Sequence, residues 1–189
     1  AEGDTQKDAF KKAFECDSKS AFGGIVGFNK PLDGETAEGM KKIFFEVIIA
    51  PDFTPEAVAA FKKKKNLRLI KIPLGYKEQH DVKSVPGGFV SQLRDNESKP
   101  YDDFELKTSR ALTGQEIEDV KLGWKLIKFV KSNAIIIVKD GMLIGVGAGQ
   151  MSRVDSVEIA IRKSQFPIEG AVLVSDAFFP FPDGPELLM

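Results

Sequence analysis

Gly170-Ala171-Val172-Leu173-Val174, followed by Ser175-Asp176-Ala177-Phe178-Phe179-Pro180-Phe181-Pro182-Asp183, decides how this chain is read. The apolar run predicts a buried strand. Polar Ser175 and Asp176 fall where that strand should end, and aromatics and prolines follow. Proline fixes φ and removes a backbone donor, so Pro180 and Pro182 make a stiff loop rather than more sheet. A stiff aromatic loop with carboxylates at a strand's C-terminal end suits the wall of a pocket for a flat ligand. A buried structural turn has the same make-up, and these residues alone leave both readings open.

Working back from that loop, Ser152 and Asp155 have the spacing of an N-cap and its N3 acid, predicting a helix to about Lys163. Asn133 to Val138 is a β-branched run that predicts a strand, Asp140-Gly141 a hairpin turn, and Met142 to Val146 the returning strand. Thr113 and Glu116 have capping-box spacing, with Ile117, Val120, Trp124 and Ile127 on one face of a long helix. The first half alternates similarly. Helices are predicted over Asp8 to Cys16, over Glu35 to Phe44, and from Thr54-Pro55-Glu56 to the Lys62–Lys65 cations. Strands are predicted over Ile25 to Phe28, Val47 to Ala50, Leu67 to Ile72, Phe89 to Leu93 and Phe104 to Lys107. Tyr76 to Gly88 reads as a polar loop, and Asp95 to Asp103 as a linker between two lobes, about 1–98 and 99–189. The class expected is α/β.

Composition excludes more than it identifies. The 189 residues carry 27 Lys+Arg against 28 Asp+Glu, a net charge of −1, so nothing electrostatic points to nucleic acid or an anionic membrane. No apolar run approaches the ~20 residues of a membrane span. The N-terminal Ala1-Glu2-Gly3-Asp4 lacks the basic-then-apolar pattern of a signal peptide. A single cysteine, Cys16, fits a reduced cytosol, and with His80 alone beside it a Cys/His metal site is not expected.

Gly145, Gly147 and Gly149 lie between a strand and a helix start, where amides can hold an anion. The third glycine comes one residue early for the dinucleotide motif, and close packing of strand on helix explains the spacing equally well. Arg153 opens a helix, where its charge opposes the dipole; a carboxylate or phosphate partner would rationalise it, and so would solvent. Asn133 follows the long helix, where an amide can donate to an oxyanion or satisfy loose backbone groups. No nucleophile–histidine unit stands out.

Seven blocks, in order, resemble one family: Ala13 to Asp17, Ser20 to Ile25, Glu46 to Pro51, Lys62 to Arg68, Lys131 to Ile135, Gly145 to Arg153, and Ser175 to Asp183. They are similar to the middle of the transformylase domain of the bifunctional purine-biosynthesis proteins carrying AICAR transformylase and IMP cyclohydrolase. The resemblance implies a three-layer α/β/α, cytidine-deaminase-like fold in two related lobes, without a catalytic metal. It implies formyl transfer from 10-formyltetrahydrofolate to the 5-amino group of AICAR, giving FAICAR, in a cytoplasmic enzyme that works as a homodimer. Gly23, Glu46 and Phe178 would contact AICAR. Asn133, Arg153, Pro180, Phe181 and Asp183 would hold the folate, with Asn133 orienting the formyl group.

The resemblance also implies gaps. The family's Lys-His pair, which serves amine attack and proton transfer, is expected before residue 1, and a further AICAR-contacting arginine after Met189; the cyclohydrolase domain is not represented. Ser18 stands where a proline is common, and Gly184 where some members have Asn. The expectation is an internal portion of the enzyme, inactive alone. The rival expectation is a non-catalytic nucleotide- or folate-binding or structural module that needs a partner chain.

Overall fold

The computed structural model describes residues 1–75, 79–96 and 99–187. It is a mixed α/β structure with six α-helices and three small sheets among those residues, one of the sheets parallel.

The parallel sheet comes from the first third of the chain. Strands β1 (Gly24–Gly27), β2 (Phe45–Ala50) and β3 (Arg68–Lys71) lie in that order, joined by helices α2 (Gly34–Met40) and α3 (Pro55–Phe61). Local chemistry starts both helices. Asp33 accepts from the Thr36 amide at 2.7 Å, and Thr54 from the Ala57 amide at 3.2 Å, with proline opening α3. Leu32, Met40, Phe45, Ile48 and Phe61 form the core, which Phe10 and Phe14 of α1 (Gln6–Cys16) complete. Helix α2 stops at Met40 instead of Phe44, because Phe44 and Phe45 are drawn into the β2 segment against β1.

The antiparallel sheet positions the candidate site. Strand β6 (Ile135–Lys139) is central, between β7 (Met142–Gly147) and β8 (Val172–Ser175). Ile136 and Val138 face helix α4 (Gly114–Ile127), while Ile135 and Ile137 face helix α5 (Arg153–Lys163). A strand covered on both faces must be apolar throughout, which explains Ile135-Ile136-Ile137-Val138. The β6–β7 turn is the expected hairpin, with Asp140 and Gly141 at φ 51° and 73°.

Helix α4 keeps its capping box, but its buried face is turned from the expected stripe. Asp119, Leu122, Gly123 and Ile127 are its buried residues, and Trp124 instead meets Phe104 edge-on at 5.1 Å. Gly123 sets this rotation: a β-carbon there would stand 2.6 Å from Val174 Cγ2. Engaged with Trp124, Phe104 lies in irregular chain, so Phe104 to Lys107 is not the strand expected.

The remaining sheet is a hairpin of β4 (His80–Val85) and β5 (Gly88–Leu93). Strand β4 occupies residues 80–85 of the loop expected at Tyr76 to Gly88, whose residues 76–78 lie outside the described set. Both its faces are largely solvated, so no burial period marked it in the sequence. Of the expected linker, residues 97–98 lie outside the described set, and Tyr101–Asp103 form a 3-10 turn. Helix α1 contacts both α2 and β7, and the Glu2 amide donates to Gly141 O at 2.8 Å. No described helix is long and apolar enough to cross a membrane.

Candidate functional site

Three ends of structure converge on Arg153, the first residue of α5. The segment before it is pinned to the entry of β6. The Gly149 amide donates to Lys131 O at 2.7 Å, and the Asn133 amide to Gln150 O at 3.2 Å. The Asn133 side chain strengthens that tie, its Nδ2 donating to Gln150 O and Met151 O, each at 3.0 Å. Ser156 Oγ donates to Asn133 O at 2.9 Å. The Ser132–Asn133 peptide is cis.

Arg153 then reaches across the sheet end to β8. Its Nη2 donates to Asn133 Oδ1 at 2.9 Å, and its Nη1 to Ser175 Oγ at 2.9 Å and Asp176 Oδ1 at 2.5 Å. The other Asp176 oxygen accepts from Ser132 Oγ, and the Asp176 amide donates to Ala134 O at 3.2 Å. The Phe179 ring lies under the guanidinium, 5.9 Å from its centroid. Burial pushes the Asp176 carboxyl up, but the hydrogen bonds from Ser132 and Arg153 outweigh it, and the carboxyl sits below its ordinary range. Of the partners open to Arg153 at a helix start, the structure supplies an internal carboxylate, Asp176.

The aromatic loop divides its side chains. Phe179 turns into the core beside Ile135, Val157 and Ala160, and its ring would meet a β-carbon at Gly184 at 2.7 Å. Phe178 and Phe181 stand out, 80% and 68% exposed, and Pro180 is exposed beside them. One aromatic thus anchors a structural turn, while the other two leave apolar surface exposed to solvent. Asp183 opens the short helix α6 (Asp183–Glu186), its Oδ1 accepting from the Gly184 amide at 2.8 Å. The loop does follow a strand's C-terminal end, but β8 is antiparallel to β6, so the rule for parallel sheets does not locate a ligand here.

The glycine triplet resolves toward packing. A β-carbon at Gly145 would lie 2.6 Å from Ala160 O, and one at Gly147 1.8 Å from Ser156 O. The two glycines let β7 lie directly on the α5 backbone. Gly149, at φ 67°, spends its amide on Lys131 O.

Gly23 and Glu46 form a separate group at the N-terminal ends of β1 and β2. Gly23 sits at φ 73° and donates to Phe44 O at 2.9 Å; a β-carbon on it would stand 3.8 Å from Glu46 Oε1. Beside them Phe22 and Phe44 pair at 5.0 Å with Phe22 largely exposed. No hydrogen bond, ion pair or ring contact among the described residues joins this group to Arg153. A cleft of about 430 Å³ lies near the end of α1, lined by Cys16, Asp17, Gly145, Gln150, Arg162 and Lys163. Among the described residues, no three His, Cys, Asp or Glu side chains gather as metal ligands.

Sequence reasoning marked Asn133 and Arg153, and the structure brings them into contact. Ser175 and Asp176 stood out as the polar end of a strand, and Ser132, Ser175 and Asp176 lay inside blocks that carry the resemblance, but none of the three was given a role at the site. The available signal was the charge of Arg153 at a helix start, which an acid nearby is one way to rationalise.

The site defines a class: a mixed α/β protein with a half-buried arginine–carboxylate cluster flanked by exposed aromatics. The model of the AICARFT/IMPCHase bienzyme family matches residues 1–163, and the chain belongs to that family. It is 50% identical over 197 aligned residues to the bifunctional purine biosynthesis protein PurH of Dinoroseobacter shibae, covering 97% of this chain and 37% of that protein. The PurH proteins of Caldicellulosiruptor saccharolyticus and Aquifex aeolicus are 48% and 44% identical, each over 98% of this chain and 36% and 37% of their own lengths. The chain thus spans little more than a third of the relatives it matches.

Proposed function

We propose that this chain forms part of the folate and AICAR site of an AICAR transformylase. The reaction is formyl transfer from 10-formyltetrahydrofolate to the 5-amino group of AICAR, giving FAICAR. The observation that carries the reading is the Arg153 cluster beside the exposed Phe178 and Phe181. A guanidinium fixed on three partners can hold an anionic or carbonyl group without reorganising, and flat apolar surface suits a pterin ring.

Arg153, Pro180, Phe181 and Asp183 hold the folate in this reading, and Asn133 exchanges one backbone carbonyl for the formyl oxygen. Gly23, Glu46 and Phe178 receive AICAR, the first two from the separate group at β1 and β2. The finer architecture we propose is the three-layer, cytidine-deaminase-like fold in two lobes, about 1–98 and 99–189. The enzyme is a cytoplasmic homodimer, with no catalytic metal. The 189 residues contain no Lys-His pair, since Gln79 precedes His80, so turnover requires residues supplied from elsewhere.

One observation favours a second reading, a structural module completed by a partner chain and without its own ligand site. The β4–β5 hairpin places Val82, Phe89 and Leu93 on one face, each more than half exposed. Titration with AICAR and with 10-formylfolate, alongside a FAICAR assay, separates the two. The enzyme-site reading predicts saturable binding of both ligands and no FAICAR from these 189 residues alone. Absence of binding to either ligand leaves the module reading.

A further inference from the structure

Asp176 is the charged member of the Arg153 cluster for which the folate reading has no task. We propose that Asp176 is a positioning residue that, fixed in turn by Ser132 and Ala134, aims the Arg153 guanidinium at the folate cosubstrate. This inference rests on the folate reading proposed above.

Four observations lead to it. First, Arg153 and the Ser132 hydroxyl hold one oxygen each of the Asp176 carboxylate, and the hydrogen bond from the Asp176 backbone amide to Ala134 O fixes the main chain that carries it. A carboxylate so fixed has one orientation to offer its partner. Second, Arg153 is a long side chain at a helix start, where the dipole repels its charge; without Asp176 nothing in the cluster would compensate that charge. Third, the side chains of the pair are only 11% and 15% exposed. Buried ion pairs are poor devices for stability, because desolvation offsets the attraction, but they fix geometry well. Fourth, the remaining contacts of the guanidinium are weaker and neutral: Ser175 Oγ, Asn133 Oδ1 and the face of Phe179. Three hydrogen bonds leave a guanidinium with donor capacity for a ligand. Asp176 therefore sets where that capacity points, and Ser132, bonding its far oxygen, is the second link.

The test uses the full product of the coding sequence, with Asp176→Asn, Arg153→Met and the double variant. The readouts are the Kd for 10-formylfolate, the separate KM values for 10-formyltetrahydrofolate and AICAR, and Tm. Asp176→Asn should weaken 10-formylfolate binding about tenfold, as loss of a charged hydrogen-bond partner implies, with the KM for AICAR unmoved. The double variant should bind no more weakly than Arg153→Met alone, because Asp176 acts through Arg153. If Arg153→Met leaves folate binding intact, the folate reading fails and this inference with it. If Arg153→Met weakens binding while Asp176→Asn lowers only Tm, the positioning role alone is overturned. Should Asp176→Asn not fold, Ser132→Ala keeps the ion pair and frees one carboxylate oxygen. It is expected to weaken 10-formylfolate binding measurably, and an unchanged Kd in that folded variant overturns the proposal.

Discussion

Replacing Gly147 with alanine would test whether the contact between β7 and α5 sets the geometry of Arg153. The new β-carbon would lie 1.8 Å from Ser156 O, 2.6 Å from its carbonyl carbon and 2.8 Å from its Cα. Ordinary van der Waals contact begins at about 3.5 Å, so the closest of these distances is only about half of it. All three atoms are backbone, so no rotamer change relieves the clash and the first turns of α5 must lift from the sheet. Overpacking typically costs about 1–3 kcal/mol, and with no flexible neighbour the expected loss is at the upper end, about 3 kcal/mol. The lift also reaches the site, because Ser156 bonds Asn133 O and Arg153 begins the same helix. Urea denaturation followed by Trp124 fluorescence would measure the first effect, and 10-formylfolate affinity of the folded fraction the second. Gly39→Ala serves as the control: that glycine is exposed in α2, a β-carbon there would meet nothing within 4 Å beyond its own helix, and a gain of about 0.5–1 kcal/mol is expected. A Gly147→Ala protein with the denaturation midpoint of the parent would refute the packing argument.

Other consequences concern the scaffold. Asp119 is buried and accepts from the Asp140 and Gly141 amides at 3.0 and 2.8 Å, so Asp119→Ala should destabilise the fold by about 3 kcal/mol in the same denaturation assay. Glu116 is held down to about 2, first by the Arg110 guanidinium and then by the Thr113 amide. A carboxyl depressed on folding contributes fully above its unfolded value of about 4.3, and that contribution fades as the pH falls toward the folded value. The acid limb of a stability–pH curve should therefore flatten in Glu116→Gln, and an unaltered limb would remove Glu116 from the account. Burial pushes the Cys16 thiol up, and Sγ donates to Lys12 O, so iodoacetamide should label it slowly at neutral pH and quickly in urea. Equal labelling rates in the two conditions would contradict that burial.

The parts of the fold visible in the sequence were those set by neighbouring residues. Thr54, Thr113 with Glu116, and Ser152 with Asp155 announce helix starts because a cap and its amide lie three residues apart. Asp140-Gly141 announces its turn because few residues tolerate positive φ. What was misread depended on distant partners. Phe104 had the look of a strand residue, yet its partner is Trp124; α4 turned because Gly123 meets Val174. The polar alternation of β4 carried no sign of burial because that hairpin is exposed. At the candidate site, Asn133 and Arg153 stood out by their places at a strand entry and a helix start, and the resemblance marked both. The part of Asp176 was not legible, because its bonds run to residues 132 and 153, far along the chain.

The measurement closest to the central claim is a titration of isotopically labelled protein with 10-formylfolate, read by NMR at backbone amides and at Arg153 Nε and Asn133 Nδ2. The account predicts saturable shifts concentrated on Asn133, Arg153 and residues 175–183. Shifts confined to the cleft beside Cys16 and Lys163, or no shifts at all, would contradict it.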